Sequence, residues 1–171
     1  MENMQNSTIP APKPVRPTFL TVLCILTFIG SAWGIIGGIS NYMNASVASE
    51  IAGEAIDAAK EEIKAESDEP GSKVAEKMLS GVSSILDPAK LRKNALFSIG
   101  ASVLTLLGGL LMFQLKKTGF WVYLLGTFVG IIAPIVVYGA NNLLSLGMST
   151  FIGFFGILFV IMYAVNLKHM R

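Results

Sequence analysis

Four long runs of apolar residues without a charged side chain dominate the chain. They cover residues 18–43, 95–115, 120–140 and 147–166, and none of them contains Asp, Glu, Lys, Arg or His. About 20 such residues in a helix cross the roughly 30 Å hydrocarbon core of a bilayer. Buried β-strands are shorter and richer in β-branched residues, whereas these runs are rich in Leu, Gly and Ala. The pattern therefore predicts four membrane-spanning helices.

Short polar segments separate and flank the four predicted spans. Residues 116–119, Lys-Lys-Thr-Gly, predict a turn between the second and third spans, and residues 141–146 predict a turn between the third and fourth. Residues 1–17 carry four prolines and predict a disordered tail, because this spacing blocks a helix and favours polyproline II. Residues 167–171 form a short polar tail at the other end of the chain.

Residues 44–94 form the one long segment outside the predicted spans. Glu-Pro-Gly at 69–71 interrupts a helix-favouring sequence, and Asp87 followed by Pro88 is typical of an N-cap and a first helical residue. Narrow apolar stripes mark the two halves: Val47, Ile51, Ala55, Ala59 and Ile63 in the first, and Val74, Met78, Val82 and Ile85 or Leu86 in the second. The segment predicts an extramembrane helical hairpin. Its stripes either pack on each other, lie on the lipid interface, or bind a partner or ligand.

Small residues recur at intervals of four within the predicted spans. Lipid is as apolar as leucine, so helices in a bilayer associate where small residues let their backbones approach closely. The residues that we expect to form helix-packing contacts are Gly30, Gly34, Gly38, Ala101, Thr105, Gly109, Gly126, Gly130, Ser149 and Gly153. They would pack the spans into a bundle, with a homodimer contact as the alternative. Trp33 falls in the middle of the first span, and we expect it to pack against a neighbouring helix.

Basic residues near the ends of the spans predict the orientation, because Lys and Arg concentrate on the cytoplasmic side of membrane proteins. One side would hold six of them: Lys13, Arg16, Lys116, Lys117, Lys168 and Arg171. The opposite side would hold three next to a span: Lys90, Arg92 and Lys93. We therefore expect both termini in the cytoplasm and the hairpin outside. Cleavage of the first span as a signal peptide is the alternative, although the run is longer than a signal sequence requires.

Composition narrows the functional classes. Hydrophobic residues make up 53% of the chain, charged residues 14%, and mean hydropathy is +0.62, whereas soluble domains carry about 25% charge. A net charge of +2 without a long basic cluster gives no basis for nucleic-acid binding. Cys24 is the only cysteine, so one chain cannot form a disulfide or a Cys-based zinc site. His169, the only histidine, lies two residues from the C-terminus, so we expect no His-dependent triad or metal cluster. We expect no catalytic, cofactor-binding or metal-binding residues and no enzymatic activity.

The stretch from Arg16 to Gly30, RPTFLTVLCILTFIG, resembles the start of small, uncharacterised bacterial four-span membrane proteins. The overall layout of the chain is similar to theirs as well. This resemblance implies a location in the bacterial cytoplasmic membrane and implies no known activity.

These features predict an all-α fold, an integral membrane four-helix bundle with an extramembrane helical hairpin between spans 1 and 2. We expect a structural or interaction role, with the lipid bilayer around the spans and self-association or a membrane protein as the partner. The alternative is an oligomeric small transporter or channel with its pore at a subunit interface. A polar, water-lined groove would favour the alternative, and a dry bundle packed through glycines would favour the first interpretation.

Overall fold

The computed structural model describes residues 17–65 and 71–170, and this described part contains no β-strand. Its elements are α1 (Thr18–Ala65), α2 (Ser72–Ile85), α3 (Pro88–Phe113), α4 (Thr118–Tyr138), α5 (Leu143–Asn166) and a final 3-10 helix at Leu167–His169. The all-α class is therefore confirmed. The predicted Pro-rich tail lies outside the described residues except for Pro17, as do Glu69 and Pro70 of the predicted helix breaker.

Four of the helices, α1, α3, α4 and α5, are long and apolar enough to cross a membrane, and we call them the spanning helices. Their surfaces support this interpretation. The side chains of Phe151 and Phe154, on α5, are 67% and 66% exposed, and Trp33 on α1 is 78% exposed. Soluble proteins rarely expose contiguous apolar patches of this kind to water. The four spanning helices thus indicate a membrane-embedded, multi-pass protein.

α1 continues without a break for 48 residues, far beyond the predicted end of the first span. No proline occurs between residue 43 and the end of α1 at Ala65, and this Ala- and Glu-rich segment has high helix propensity. α3 begins where the sequence predicts. The Asp87 side chain accepts hydrogen bonds from the backbone N–H groups of Ala89 and Lys90 at 2.9 and 3.0 Å, and Pro88 occupies the first helical position.

The ends of α4 and α5 differ from the limits of the apolar runs. α4 already begins at Thr118, so Gly119 belongs to the helix instead of the turn. α5 begins at Leu143, because the Asn142 side chain accepts the backbone N–H of Leu144 at 3.0 Å and caps the helix. The hydrophobic pattern alone starts the fourth span four residues later, since it does not register the cap.

α3 is the central helix of the bundle. It packs against α1 on one side and α4 on the other, while α4 packs against α5 and α5 also contacts α1. α2 lies against α1 and α5. The chain therefore follows the order α1, α3, α4, α5 around the bundle, with α2 outside the group of spanning helices.

The tightest apolar core lies at one end of the bundle, where the first turns of α1 and α4 meet the last turns of α3 and α5. Its buried members are Leu20, Leu23, Cys24, Met112, Leu115, Phe120, Tyr123, Tyr163 and Met170. The rings of Tyr123 and Tyr163 meet edge to face with centroids 5.0 Å apart. This end is the one at which the sequence places both termini and the Lys116–Lys117 turn.

Candidate functional site

The contact between α1 and α3 depends on two of the predicted packing glycines. A methyl group on Gly34 would overlap the hydroxyl of Ser102. A methyl group on Gly38 would come within 2.6 Å of Ile99 Cγ1 and 3.4 Å of the carbonyl oxygen of Ala95. A larger residue at Gly34 would require the Ser102 side chain to move, and one at Gly38 would require the Ile99 side chain to move, so α1 and α3 approach closely at these two glycines.

Gly30 is placed differently from Gly34 and Gly38. No neighbouring group in the described chain comes within 4 Å of a methyl group added at Gly30. Each step of four residues rotates the side-chain direction by about 40°, so Gly30 points about 80° away from Gly38. Among the described residues, Gly30 therefore does not pack against another helix.

The closest helix–helix approach joins α3 and α4. A methyl group on Gly108 would lie 2.6 Å from the backbone nitrogen of Tyr123, and one on Gly119 would lie 2.6 Å from the carbonyl oxygen of Gly108. Gly126 follows two turns later, where a methyl group would come within 2.9 Å of the carbonyl oxygen of Ala101. Gly126 and Ala101 are among the residues that the sequence predicts to pack. Gly108 is not among them, and Gly119 was predicted to lie in a turn.

The remaining predicted packing residues make looser contacts. Gly109 faces α1, where a methyl group would meet Thr27 Cγ2 at 3.1 Å. Gly130 and Gly153 have ordinary neighbours at 3.7 Å, from α3 and α4 respectively. Ser149 is buried, and its hydroxyl has no hydrogen-bond partner among the described residues.

Buried hydroxyl groups tie α1 to two other helices. Thr27 Oγ1 lies 2.7 Å from Tyr163 Oη on α5, and Ser31 Oγ lies 2.9 Å from Thr105 Oγ1 on α3. Because Thr105 donates to the carbonyl oxygen of Ser102 at 3.0 Å, Ser31 is the donor to Thr105. In lipid, interhelical hydrogen bonds of this type contribute on average about 0.6 kcal/mol each. These hydroxyl groups therefore join neighbouring helices, because each forms a hydrogen bond to a hydroxyl group on another helix.

Among the described residues, no group of three or more His, Cys, Asp or Glu side chains could hold a metal ion. Cys24 is fully buried beside the tyrosine pair in the apolar core. An open apolar trough of about 810 Å³ lies along α5. It is lined by Leu143, Leu146, Gly147, Thr150, Phe151, Phe154 and Phe155. All of these residues come from one helix, so the trough is a face of α5.

The part of α1 after the first apolar run, which we call the extension of α1, turns a different side inward from the predicted stripe. Ala45 and Ile56 are buried, whereas Val47 and Ile51 are 52% and 70% exposed. Lys60 forms an exposed ion pair with its helix neighbour at i−3, which contributes little to stability. The extension therefore presents apolar side chains that no described part of the chain covers.

α2 has a buried end and an exposed end. Near its C-terminus Gly81 is buried, and its carbonyl oxygen accepts a hydrogen bond of 3.1 Å from Asn142 Nδ2 at the start of α5. Toward its N-terminus Val74 and Met78 are 58% and 46% exposed. These two residues lie on the same side of the helix as Gly81, since they precede it by seven and three residues. The apolar face of α2 is thus covered at one end and open at the other.

No protein-family model, no curated protein and no solved structure matches this chain.

Proposed function

We propose that this chain is a multi-pass membrane protein with a structural or interaction role. The observation that carries the proposal is the interior of the bundle. Glycines bring α3 within backbone contact of α4 and close to α1. The buried hydroxyl groups of Thr27 and Ser31 form hydrogen bonds to hydroxyl groups on other helices. The helices themselves fill the interior of the described bundle, which favours a structural or interaction role over a polar transport path.

We further propose that residues 44–94 form a helical hairpin on the outer side of a bacterial cytoplasmic membrane, with both termini in the cytoplasm. At about 1.5 Å per residue, the 48 residues of α1 extend roughly 72 Å, more than twice the hydrocarbon thickness. About half of α1 must then lie outside the core. The excess of basic residues at the opposite ends of the spans supports this orientation, and the resemblance of the first span supports the location.

The open end of α2 is the surface that we assign to a partner. Val74 and Met78 belong to α2, outside the spanning helices, and both remain exposed in the described chain. A partner protein with an apolar face would remove them from water and would gain the hydrophobic free energy of that burial, about 25 cal/mol per Å². A suitable partner is a membrane protein whose extramembrane helix or domain lies at the same distance from the bilayer as α2.

Site-specific photo-crosslinking in native membranes tests this role. A photoreactive residue in place of Met78 should give an adduct of discrete mass, whereas the same residue in place of Glu76, exposed on the opposite side of α2, should give none. Val74→Glu should abolish the adduct at Met78, because it places a charge in the apolar contact.

The crosslinking result and a transport assay together distinguish the interaction role from transport. Equal labelling at both positions, or no adduct at Met78, would contradict an interaction role for α2. An oligomeric transporter or channel predicts, in addition, that the purified protein in liposomes conducts ions or small solutes above the level of empty vesicles.

A further inference from the structure

One face of α1 carries a series of positions spaced alternately four and three residues apart. The series is Leu26, Gly30, Trp33, Gly37, Ser40, Asn44, Val47 and Ile51, and we call it the α1 seam. Such spacing averages 3.5 residues, which is the repeat by which two helices remain in contact along a left-handed supercoil. The seam begins in the first predicted span and continues into the extension of α1.

The α1 seam has no partner within the described chain. Trp33 is 78% exposed and Ile51 is 70% exposed, and no neighbouring group of the described residues comes within 4 Å of a methyl group on Gly30 or Gly37. α3 contacts the adjacent face of α1, through Gly34 and Gly38. The expected contact of Trp33 with a neighbouring helix is therefore not made within the described residues. Gly30 makes no helix contact there either.

The α1 seam crosses from lipid into water, and this limits what can cover it. Ile51 lies 33 residues after Thr18, or roughly 50 Å along the helix axis, whereas the hydrocarbon core is about 30 Å thick. Lipid tails can cover Trp33 but not Val47 and Ile51. A single occupant for the whole seam must therefore be a helix that spans the membrane beside α1 and continues beyond it.

We propose that a second copy of this chain occupies the α1 seam, with the two α1 helices parallel. The proposal rests on the membrane placement given above. A symmetric pair brings each residue against its own copy, so it requires a seam without charge. No residue from Thr18 to Ser49 is charged, and the first acids are Glu50 beside the seam and Glu54 at its next position. Charge thus permits self-pairing up to Ile51 and opposes it beyond.

The side chains of the α1 seam also fit a symmetric pair. In a parallel pair, the layer of two Trp33 side chains lies between a Gly30 layer and a Gly37 layer, which leave the volume that two indoles need. Asn44 lies at the seam position at which a buried asparagine fixes the register of paired helices. In the monomer its amide donates to Ser40 within the same exposed helix turn, and this bond can be exchanged for one to the second Asn44.

The size of the contact sets its strength. From Leu26 to Ile51 the seam is roughly 38 Å long, and a strip about 10 Å wide buries roughly 400 Å² on each copy. The total of about 800 Å² is below the roughly 1,200 Å² of stable soluble interfaces. The structure thus points to a reversible dimer, which forms at the high local concentration of a membrane and dissociates on dilution.

Disulfide trapping of the full-length protein in native membranes tests the proposal. In a Cys24→Ser background, Val47→Cys should form a covalent dimer of twice the chain mass on mild oxidation. Ser46→Cys is the matched control, because Ser46 is exposed at the same height but points about 100° away. Failure of Val47→Cys to crosslink, equal crosslinking of both variants, or an adduct with a different protein at Val47 would each overturn the assignment to a second copy.

A second measurement keeps the proposal separate from the proposed function. Förster transfer between labelled copies in liposomes should show that Val47→Glu raises the dissociation constant at least about tenfold, since the apolar contact is lost and two carboxylates face each other. Ser46→Glu should leave it within about twofold. Unchanged transfer in the Val47 variant refutes the dimer. If the dimer is absent but the Met78 adduct is present, the dimer proposal is refuted and the interaction role of α2 is retained. If only the Met78 adduct is absent, the interaction role of α2 is refuted and the dimer proposal is retained.

Discussion

Replacement of Gly108 by alanine should weaken the bundle at the contact between α3 and α4. The new methyl group would lie 2.6 Å from the backbone nitrogen and 2.7 Å from the Cα of Tyr123. Backbone atoms cannot rotate away as a side chain does, so the two helices have to separate. Gly100 is the matched control, because it lies in the same helix and no neighbouring group of the described chain comes within 4 Å of its added methyl group.

The expected change combines two opposing effects. Overpacking of a closely packed interior costs about 1–3 kcal/mol, and a clash with backbone belongs at the upper end, near about 3 kcal/mol. Alanine also has the higher helix propensity, which returns about 1 kcal/mol. Gly108→Ala should therefore lower the free energy of unfolding by about 2 kcal/mol. Gly100→Ala keeps only the propensity gain and should be as stable as the parent or up to about 1 kcal/mol more stable.

Cys24 provides the assay. It is the only cysteine and is fully buried in the apolar core, so a thiol-reactive fluorophore reacts as the bundle unfolds in detergent. For a chain of 150–250 residues, 1 kcal/mol corresponds to a shift of about 2–4 °C in Tm. The Gly108 variant should thus unfold about 4–8 °C below the parent, with the Gly100 variant at or above it.

Two outcomes would refute the reasoning about close packing. If Gly108→Ala unfolds within 1 °C of the parent on the scale of about 2–4 °C per kcal/mol, α3 and α4 do not meet at this glycine. If Gly100→Ala is destabilised as much as Gly108→Ala, the loss reflects alanine in α3 generally and not the contact with Tyr123.

Three further predictions concern hydrogen bonding, orientation and ion coupling. Tyr163→Phe should lower the free energy of unfolding by about 0.6–1.7 kcal/mol in the same thiol assay, since it removes the bond to Thr27; a loss outside this range would contradict a simple interhelical bond. In a Cys24→Ser background, an impermeant thiol reagent on intact cells should label Ser80→Cys but not Thr118→Cys, and the reverse would invert the topology. Purified protein in liposomes should carry no proton flux above empty vesicles, because none of the four apolar runs contains Asp, Glu, His, Lys or Arg; a dose-dependent proton current would contradict this.

The features that the sequence predicted well are local ones. An uncharged run of about 20 residues is sufficient to define a span, since the bilayer sets the length. Asp87 and Pro88 define the start of α3 through their own backbone and side-chain geometry. The start of α5 at Leu143 was equally accessible in principle, because Asn142 is a typical N-cap residue. The predicted span begins at residue 147 because its limit follows the hydrophobic pattern alone, and this is four residues after the observed start of α5.

The rotation of each helix about its axis could not be predicted in the same way. α3 is apolar on nearly every side within its span, so its hydrophobic pattern does not distinguish the face toward the bundle from the face toward lipid. Gly100 and Gly108 have similar sequence surroundings, yet one is exposed and the other touches the Tyr123 backbone. The choice depends on the shape of α4, and hence on residues distant in sequence. The bond between Thr27 and Tyr163, which are 136 residues apart, is of the same kind.

α1 shows how one sequence pattern can serve two surfaces. The spacing of Gly30, Gly34 and Gly38 favours a single packing stripe, but a step of four residues advances the side-chain direction by about 40°. Over two steps the stripe passes from one face of the helix to another. Gly34 and Gly38 therefore meet α3, while Gly30 belongs to the face of Trp33. A homodimer contact and an intramolecular contact, which the sequence presented as alternatives for one stripe, become compatible because they use different sides of the same helix.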